Sequence, residues 1–421
     1  MGPRAVNQSG EKMGYQPASQ ENRRLVVLGI DVPFLLILII LLIFGIEMVY
    51  SASWDFSYDN YDDALYTLTR QLWWLGLGVL AFIFMSVVDY HWWTKFVLPG
   101  MIFTMVLLLA VLFFGDERFG AHRTLFGGSV QPSELAKLMI VVYLSVWLYN
   151  KRALLKDISF GLLPLGAILG VVGGFILLQP DLSAVLTIFM LGGLMFFLAG
   201  GDLKQIMILL GLGMLVGLVV VNMPTGRERI GSFWAGIQDL WASSGHVQRS
   251  IEAFANGGWL GVGIAKGWTK LTGLPFPHTD SIFAVVGEET GVLGSATLIL
   301  LYCGLLWRGI AISQNARDGL GRLLAGGLTF WIVVEAIINM AVMVNLLPFA
   351  GNALPLISSG GSSLVMSLAG MGVVMNVARQ GDVQRKVEER NFNAVANLRG
   401  RDRRRRVSGA SRSASAGSRR P

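Results

Sequence analysis

The sequence predicts an all-α polytopic membrane protein with about ten transmembrane helices, a large extracytoplasmic loop between helices 7 and 8, and a re-entrant segment between helices 9 and 10. Three observations lead there. Of 421 residues 53% are hydrophobic and 14% are charged. Several apolar runs exceed the ~18 residues that mark a membrane span. Two connections differ from the short polar ones: one is long, Gly-rich and basic, the other apolar but broken by Pro and Gly.

Residues 1–25 are polar and carry Arg23-Arg24, so they cannot bury a core and are predicted to be a disordered cytoplasmic tail. The first apolar run starts near Val32, is long enough to span and has no small-residue cleavage site at its end, which predicts a retained signal anchor. Spans are predicted at Val32–Ser51, Leu72–Val88, Phe96–Phe114, Leu135–Tyr149, Gly161–Leu178, Ser183–Leu198, Gln205–Val221, Ile282–Trp307, Leu323–Leu346 and Ser363–Val377. The membrane unit therefore covers 26–379, with 224–279 as its large, non-helical outer loop, and 380–421 is a basic disordered cytoplasmic tail. With the N-terminus inside, most of the 34 Lys and Arg fall on the cytoplasmic side, including Lys151, Arg152 and Lys156, while Asp55, Asp59, Asp62 and Asp63 fall outside. Both termini are then cytoplasmic.

The net charge of +7 comes from the C-terminal tail, where Arg399, Arg401 and Arg403 to Arg406 stand among Ser, Gly and Ala without aromatic residues. Such a run beside a last span points to anionic lipid headgroups, or to a cytoplasmic partner, and not to nucleic acid. The single Cys303 excludes an intramolecular disulfide, and four scattered histidines exclude a nitrogen–sulfur metal cage. A hard cation on carboxylates stays open.

Charges within spans are costly and usually face a cavity or one another. Glu134 and Lys137 are one turn apart and can pair, Glu288 and Glu289 need hydrogen-bonding or cationic partners, and Glu335 and Asn339 are spaced i, i+4. Asp181, in the Gln179-Pro180-Asp181 turn, reads as a turn and cap residue. Asp280 is different: it stands where the loop carrying Arg227, Arg229, Arg249, Lys266 and Lys270 meets an apolar helix. An acid at a basic rim can act as a general base beside an anionic substrate; residue types alone favour a helix N-cap. The run from Asn345 to Ser363 is too apolar for an exposed loop and too broken for a helix, which predicts the re-entrant segment. Gly360 and Gly361 before Ser362 and Ser363 offer either backbone N–H groups for an anionic headgroup or close helix packing.

Taken in order, Gly120-Ala121 with Arg123, Gln131-Pro132-Ser133-Glu134 with Lys137, Gln179-Pro180-Asp181-Leu182, His278-Thr279-Asp280 with Ile282 to Val285, Glu288-Glu289 and Gly291, and Leu354-Pro355 with Ser358 and Gly360 to Ser363 resemble the SEDS proteins, the shape, elongation, division and sporulation glycosyltransferases that include FtsW, RodA and SpoVE. The resemblance runs from about Val32 to Arg379. Gly287-Glu288-Glu289, the polar N-terminal extension and the basic tail are more similar to FtsW than to RodA.

The resemblance implies a peptidoglycan glycosyltransferase that polymerises lipid II at the outer face of the bacterial cytoplasmic membrane, at the division septum, with a class B penicillin-binding protein transpeptidase and divisome proteins as partners. Asp280 falls on the family's loop aspartate, Arg123 and Lys137 on polar cavity positions, and Lys270 on the loop lysine. Glu134, Ser362 and Ser363 join them as substrate-binding candidates, with Glu288, Glu289, Gly360 and Gly361 shaping the cavity. Arg or Lys, or a divalent cation such as Mg or Mn, would neutralise the departing pyrophosphate. The chain departs from the family pattern at Thr124, Phe276, Ser281, Ser359 and Glu335; Phe276 removes a glutamate that is a candidate metal ligand. A flippase or transporter of a lipid-linked precursor, or a non-catalytic scaffold for a penicillin-binding protein, are the other readings.

Overall fold

A computed structural model describes residues 29–118, 121–125 and 129–385. The two tails, the glycines at 120, 127 and 128, and the side chain of Arg123 lie outside the described residues. Twelve helices are named here: α1 Val32–Tyr61, α2 Tyr66–Val87, α3 Val97–Phe114, α4 Pro132–Lys151, α5 Leu162–Leu177, α6 Leu182–Leu198, α7 Leu203–Asn222, α8 Pro224–Gln238, α9 Gly245–Gly257, α10 Ile282–Gln314, α11 Gly319–Met343 and α12 Gly361–Arg385. Among the described residues seven of these, α1 to α4 and α10 to α12, are long and apolar enough to cross a membrane, and α5, α6 and part of α7 are shorter apolar helices.

Each predicted span overlaps a helix, but the ends move; the ninth, Leu323–Leu346, runs past α11, which stops at Met343. α1 continues ten residues past Ser51 to Tyr61, where Ser51 and Ser57 are buried and bonded, Ser51 to Glu289 and Ser57 to Thr67 of α2. The expectation of a non-helical 224–279 is corrected: α8 starts with Pro224 in its first turn, and α9 buries Val247, Ser250, Ala253 and Gly257 and packs Phe254 on the core, an amphipathic helix too polar on average to read as a span. The all-α class holds, with one local addition: Asp116–Arg118 and Ala121–Thr124 pair as two short antiparallel strands. The eighth predicted span is two helices end to end. Gly291, at φ 67° and ψ −166°, breaks α10, and a methyl group there would lie 2.4 Å from the Gly261 nitrogen.

α11 is the axis of the bundle. It packs on α4, α6 and α10, and Trp331, Ile332 and Leu328 are fully buried at its middle. The outer faces of α2 and α3 instead expose Trp73, Leu80, Phe84, Leu98, Ile102 and Phe103, as a lipid-facing surface does. Between α11 and α12 the chain runs without helix, with Leu354 to Ile357 buried. That segment is pressed onto α1: a methyl group at Gly45 would lie 2.5 Å from the Leu356 carbonyl. Tyr302 donates to the Pro355 carbonyl, and Leu356 sits at φ 69°, a left-handed conformation unfavourable for Leu and held by these contacts.

Candidate active site

The turn before α10 is built by two main-chain bonds to Phe276, from Thr279 N at 3.1 Å and Ser281 N at 3.3 Å. Phe276 itself is at φ 49°. What keeps this conformation is a set of bonds to three successive carbonyls. His278 O accepts from Ser359 N at 2.8 Å, Thr279 O from Ser358 Oγ at 2.6 Å, and Asp280 O from Asn339 Nδ2 at 2.8 Å. All three donors come from α11 and the segment that follows it, so the 339–359 stretch fixes the backbone that carries Asp280. Asn339 Nδ2 also reaches Asn352 O at 2.7 Å, and Asn352 Nδ2 donates to Glu335 O at 3.0 Å.

Asp280 is half-buried. The N-cap position of α10 is Ser281, one residue beyond Asp280, and the Ser281 side chain makes no cap bond. The carboxylate lies against Gly351: a methyl group there would be 3.5 Å from Asp280 Oδ2 and 3.7 Å from the Phe349 ring. Phe349 in turn stacks on His246 at 4.2 Å and carries the Arg229 guanidinium 5.7 Å from its ring centre. Arg229 Nη1 is 3.4 Å from Ala350 O. Burial, reinforced by Arg229, pushes the His246 imidazole down to about 4, and burial alone does the same to His278.

From this point an apolar cavity of about 730 Å³ runs between α6, α7, α8 and α11. Phe189, Leu210, Met214 and Phe330 line it, Phe349 and Ala350 close one part, and Arg229 is the one charged side chain among its described lining residues. A long apolar ligand with an anionic end matches that distribution.

The remaining sequence candidates form three buried polar groups. Lys137 donates to Glu134 at 2.7 Å and to Glu335, with the ammonium 6.0 Å from the Trp331 ring; Glu335 thus pairs with Lys137 and not with Asn339. Lys270 spends its three N–H donors on Ser51 O and Oγ at 2.8 Å each and Glu289 Oε1 at 2.6 Å, joining the loop to α1. Glu288 accepts from Trp268 N, Thr269 N and Thr269 Oγ1 at 2.8 to 3.2 Å, as a buried carboxylate must. Asp181 caps α6 through Ala184 N at 3.2 Å, as its turn predicts, and also holds Gln131 and Ser133 at 3.0 and 3.1 Å. Ser362 Oγ accepts from Gln131 N at 3.0 Å, and Ser362 N donates to Ser129 O at 3.3 Å. At Gly361 a methyl group would lie 2.5 Å from the Trp74 indole, so this glycine serves close packing; Ser363 lies half-buried two residues on.

No three His, Cys, Asp or Glu side chains gather to hold a metal ion among the described residues. With Phe276 in place of a loop glutamate and Glu288 and Glu289 committed to Thr269 and Lys270, the donor set around Asp280 does not fit a divalent cation. Sequence reading missed His246, Phe349, Gly351 and Asn352, and placed Arg229 only among the loop's basic residues. The one available signal was the helical spacing of α9.

Residues 32–382 match the cell cycle protein family of FtsW, RodA and SpoVE. The chain is 35% identical over 356 residues to the probable peptidoglycan glycosyltransferase FtsW of Trichlorobacter lovleyi, covering 83% of this chain and 93% of that one. It is 35% identical over 355 residues to stage V sporulation protein E of Bacillus subtilis, covering 83% and 97%. A chain of a peptidoglycan synthase complex that coordinates polymerization and crosslinking superposes with a TM-score of 0.68 at 27% identity, over 84% of this chain and 98% of that one. The rod shape determining protein RodA of Thermus thermophilus superposes at 0.62 and 26%, over 83% and 97%. This chain belongs to the FtsW, RodA and SpoVE family of cell cycle proteins.

Proposed function

We propose that this chain polymerises lipid II, the undecaprenyl-pyrophosphate disaccharide-pentapeptide, into glycan strands at the outer face of the bacterial cytoplasmic membrane during cell division. As a family member it is a membrane protein and a peptidoglycan glycosyltransferase. The shorter helices α5, α6 and α7 cross the membrane with the seven long ones, giving ten spans; residues 224–279 lie outside, 345–360 re-enter, and both termini are cytoplasmic. The basic Lys151, Arg152 and Lys156 and the acidic Asp59, Asp62 and Asp63 support that orientation.

The observation that carries the reading is the placement of Asp280 on a turn fixed through three successive carbonyls, beside a cavity that is apolar along its length and cationic at Arg229. Asp280 takes the proton from the acceptor GlcNAc 4-hydroxyl as that oxygen attacks the donor MurNAc anomeric carbon. The bond from that carbon to the pyrophosphate breaks with inversion, and the polyprenyl pyrophosphate departs with its charge facing Arg229. Fixing the turn in advance keeps the carboxylate oriented when charge develops. Lys137, Glu134, Lys270, Ser362 and Ser363 line or brace the substrate side in this reading; Arg123 is the remaining substrate-binding candidate, by its match to the family pattern. No step here is routed through a metal ion.

A class B penicillin-binding protein is the proposed partner, with the exposed Phe56, Tyr58 and Tyr61 at the outer end of α1 as its docking surface. Purified protein incubated with labelled lipid II in detergent tests the reading, since polymer there requires an enzyme. Lipid movement in vesicles without polymer would favour a flippase, and neither activity, alone or with a penicillin-binding protein, would favour a scaffold.

A further inference from the structure

His246 stands in the first turn of α9, and its imidazole touches two separate segments. Nδ1 is 3.2 Å from Ser281 Oγ, while the ring stacks on Phe349 at an interplanar angle of 24°. Ser281 is fully buried and directly follows Asp280. Its hydroxyl proton goes to the Pro275 carbonyl at 2.8 Å. A hydroxyl has one proton to give, so Ser281 Oγ receives its bond from His246, which places the imidazole proton on Nδ1. The low basicity of this imidazole leaves it with that single N–H at neutral pH.

The bonds to the carbonyls of His278, Thr279 and Asp280 hold the turn from the α11–α12 side. The relay from His246 Nδ1 through Ser281 Oγ to Pro275 O closes it from the α9 side, across the residue pair that includes the left-handed Phe276. We propose that His246 is a positioning residue for Asp280, acting through the Ser281 hydroxyl and through its stack on Phe349, whose ring, like the Asp280 carboxylate, lies beside Gly351. Without the relay one edge of the turn is unheld, and Phe276 relaxes toward a right-handed conformation that turns the carboxylate away. The activity readout of this inference rests on the proposed glycosyl transfer.

The test uses the full chain in lipid nanodiscs with lipid II. Asn places a side-chain N–H where histidine has Nδ1, and Gln places one where it has Nε2. His246→Ala is expected to lower kcat by about 10- to 100-fold, the range for a small misplacement of a reacting group, with KM little changed. His246→Asn should restore most of the loss and His246→Gln little of it. Ser281→Ala, which removes the relay and keeps the Phe349 stack, should lose part of what His246→Ala loses, and the double variant should be no worse than His246→Ala. Wild-type rates in all variants, better rescue by Gln than by Asn, or multiplying losses in the double variant would overturn the inference. A second measurement does not depend on activity or on variant folding: nitrogen NMR of labelled histidine in the wild-type protein should show a neutral His246 protonated on Nδ1. Protonation on Nε2 overturns the inference, whereas absence of polymer from the wild-type chain overturns the proposed function alone.

Discussion

Asn339 donates from Nδ2 to the main-chain carbonyl of Asp280 at 2.8 Å, and one turn earlier on the same helix Glu335 receives Lys137. α11 therefore supports both the proposed base and the buried ion cluster. Asn339→Leu leaves two part-buried carbonyls, those of Asp280 and Asn352, without this donor, at up to about 1–3 kcal/mol each. The expected result is a lower thermal midpoint together with slower polymerisation. Heat denaturation in detergent and the lipid II assay check it, and wild-type values in both would show that Asn339 does not hold the turn.

Lys137 neutralises two carboxylates in a site where all three side chains are 10% exposed or less. Lys137→Met leaves both acids without their cation and should cost about 3–5 kcal/mol, the usual penalty for breaking a buried pair. Adding Glu134→Gln and Glu335→Gln to the same chain should recover most of that loss. If the triple variant is as unstable as the single one, charge is not the cause.

Glu288 is the buried anchor of residues 268–269. Glu288→Ala removes these charge-assisted bonds, and hydrogen exchange at Trp268 and Thr269 should accelerate by about tenfold or more. Unchanged exchange at those amides would mean that the loop is held by Lys270 and Glu289 alone.

Stability should have a maximum near pH ~6.5, the ordinary histidine value. His246 and His278 have depressed values near 4 in the folded chain, so their contribution is fully present above ~6.5 and is lost as pH falls toward 4. His91, before α3, goes the other way. Burial opposes its charge, but hydrogen bonds to Asp89 and Asp318 outweigh burial and raise it. Its contribution is full below ~6.5 and is lost as pH rises through the raised value. Thermal midpoints across pH should show His278→Gln flattening the acid limb and His91→Gln the alkaline one. Limbs that keep their slopes in these variants would remove both assignments.

Hydropathy made the long apolar helices legible, because a run such as Val97–Phe114 has no other way to bury itself. Spacing alone paired Glu134 with Lys137 and put Asp181 at a cap. α9 escaped because its hydropathy averages out: Val247, Ile251 and Phe254 keep the helical period, but the polar residues between them hide it from a search for long apolar runs. The break at Gly291 escaped because glycine is common within apolar helices, and only the close approach of Gly261 requires its positive φ. His246, Phe349 and Gly351 come together around the Asp280-Ser281 turn through contacts between distant parts of the chain, which periodicity does not report.

The account depends most on Asp280 as the base. Asn keeps the size of the side chain and leaves intact the carbonyl bond to Asn339, so Asp280→Asn should preserve the fold and the thermal midpoint. It accepts no proton, and polymerisation of labelled lipid II by the purified variant should fall by at least ~10²–10⁴-fold. A folded Asp280→Asn protein that makes glycan strands at the wild-type rate would contradict the mechanism.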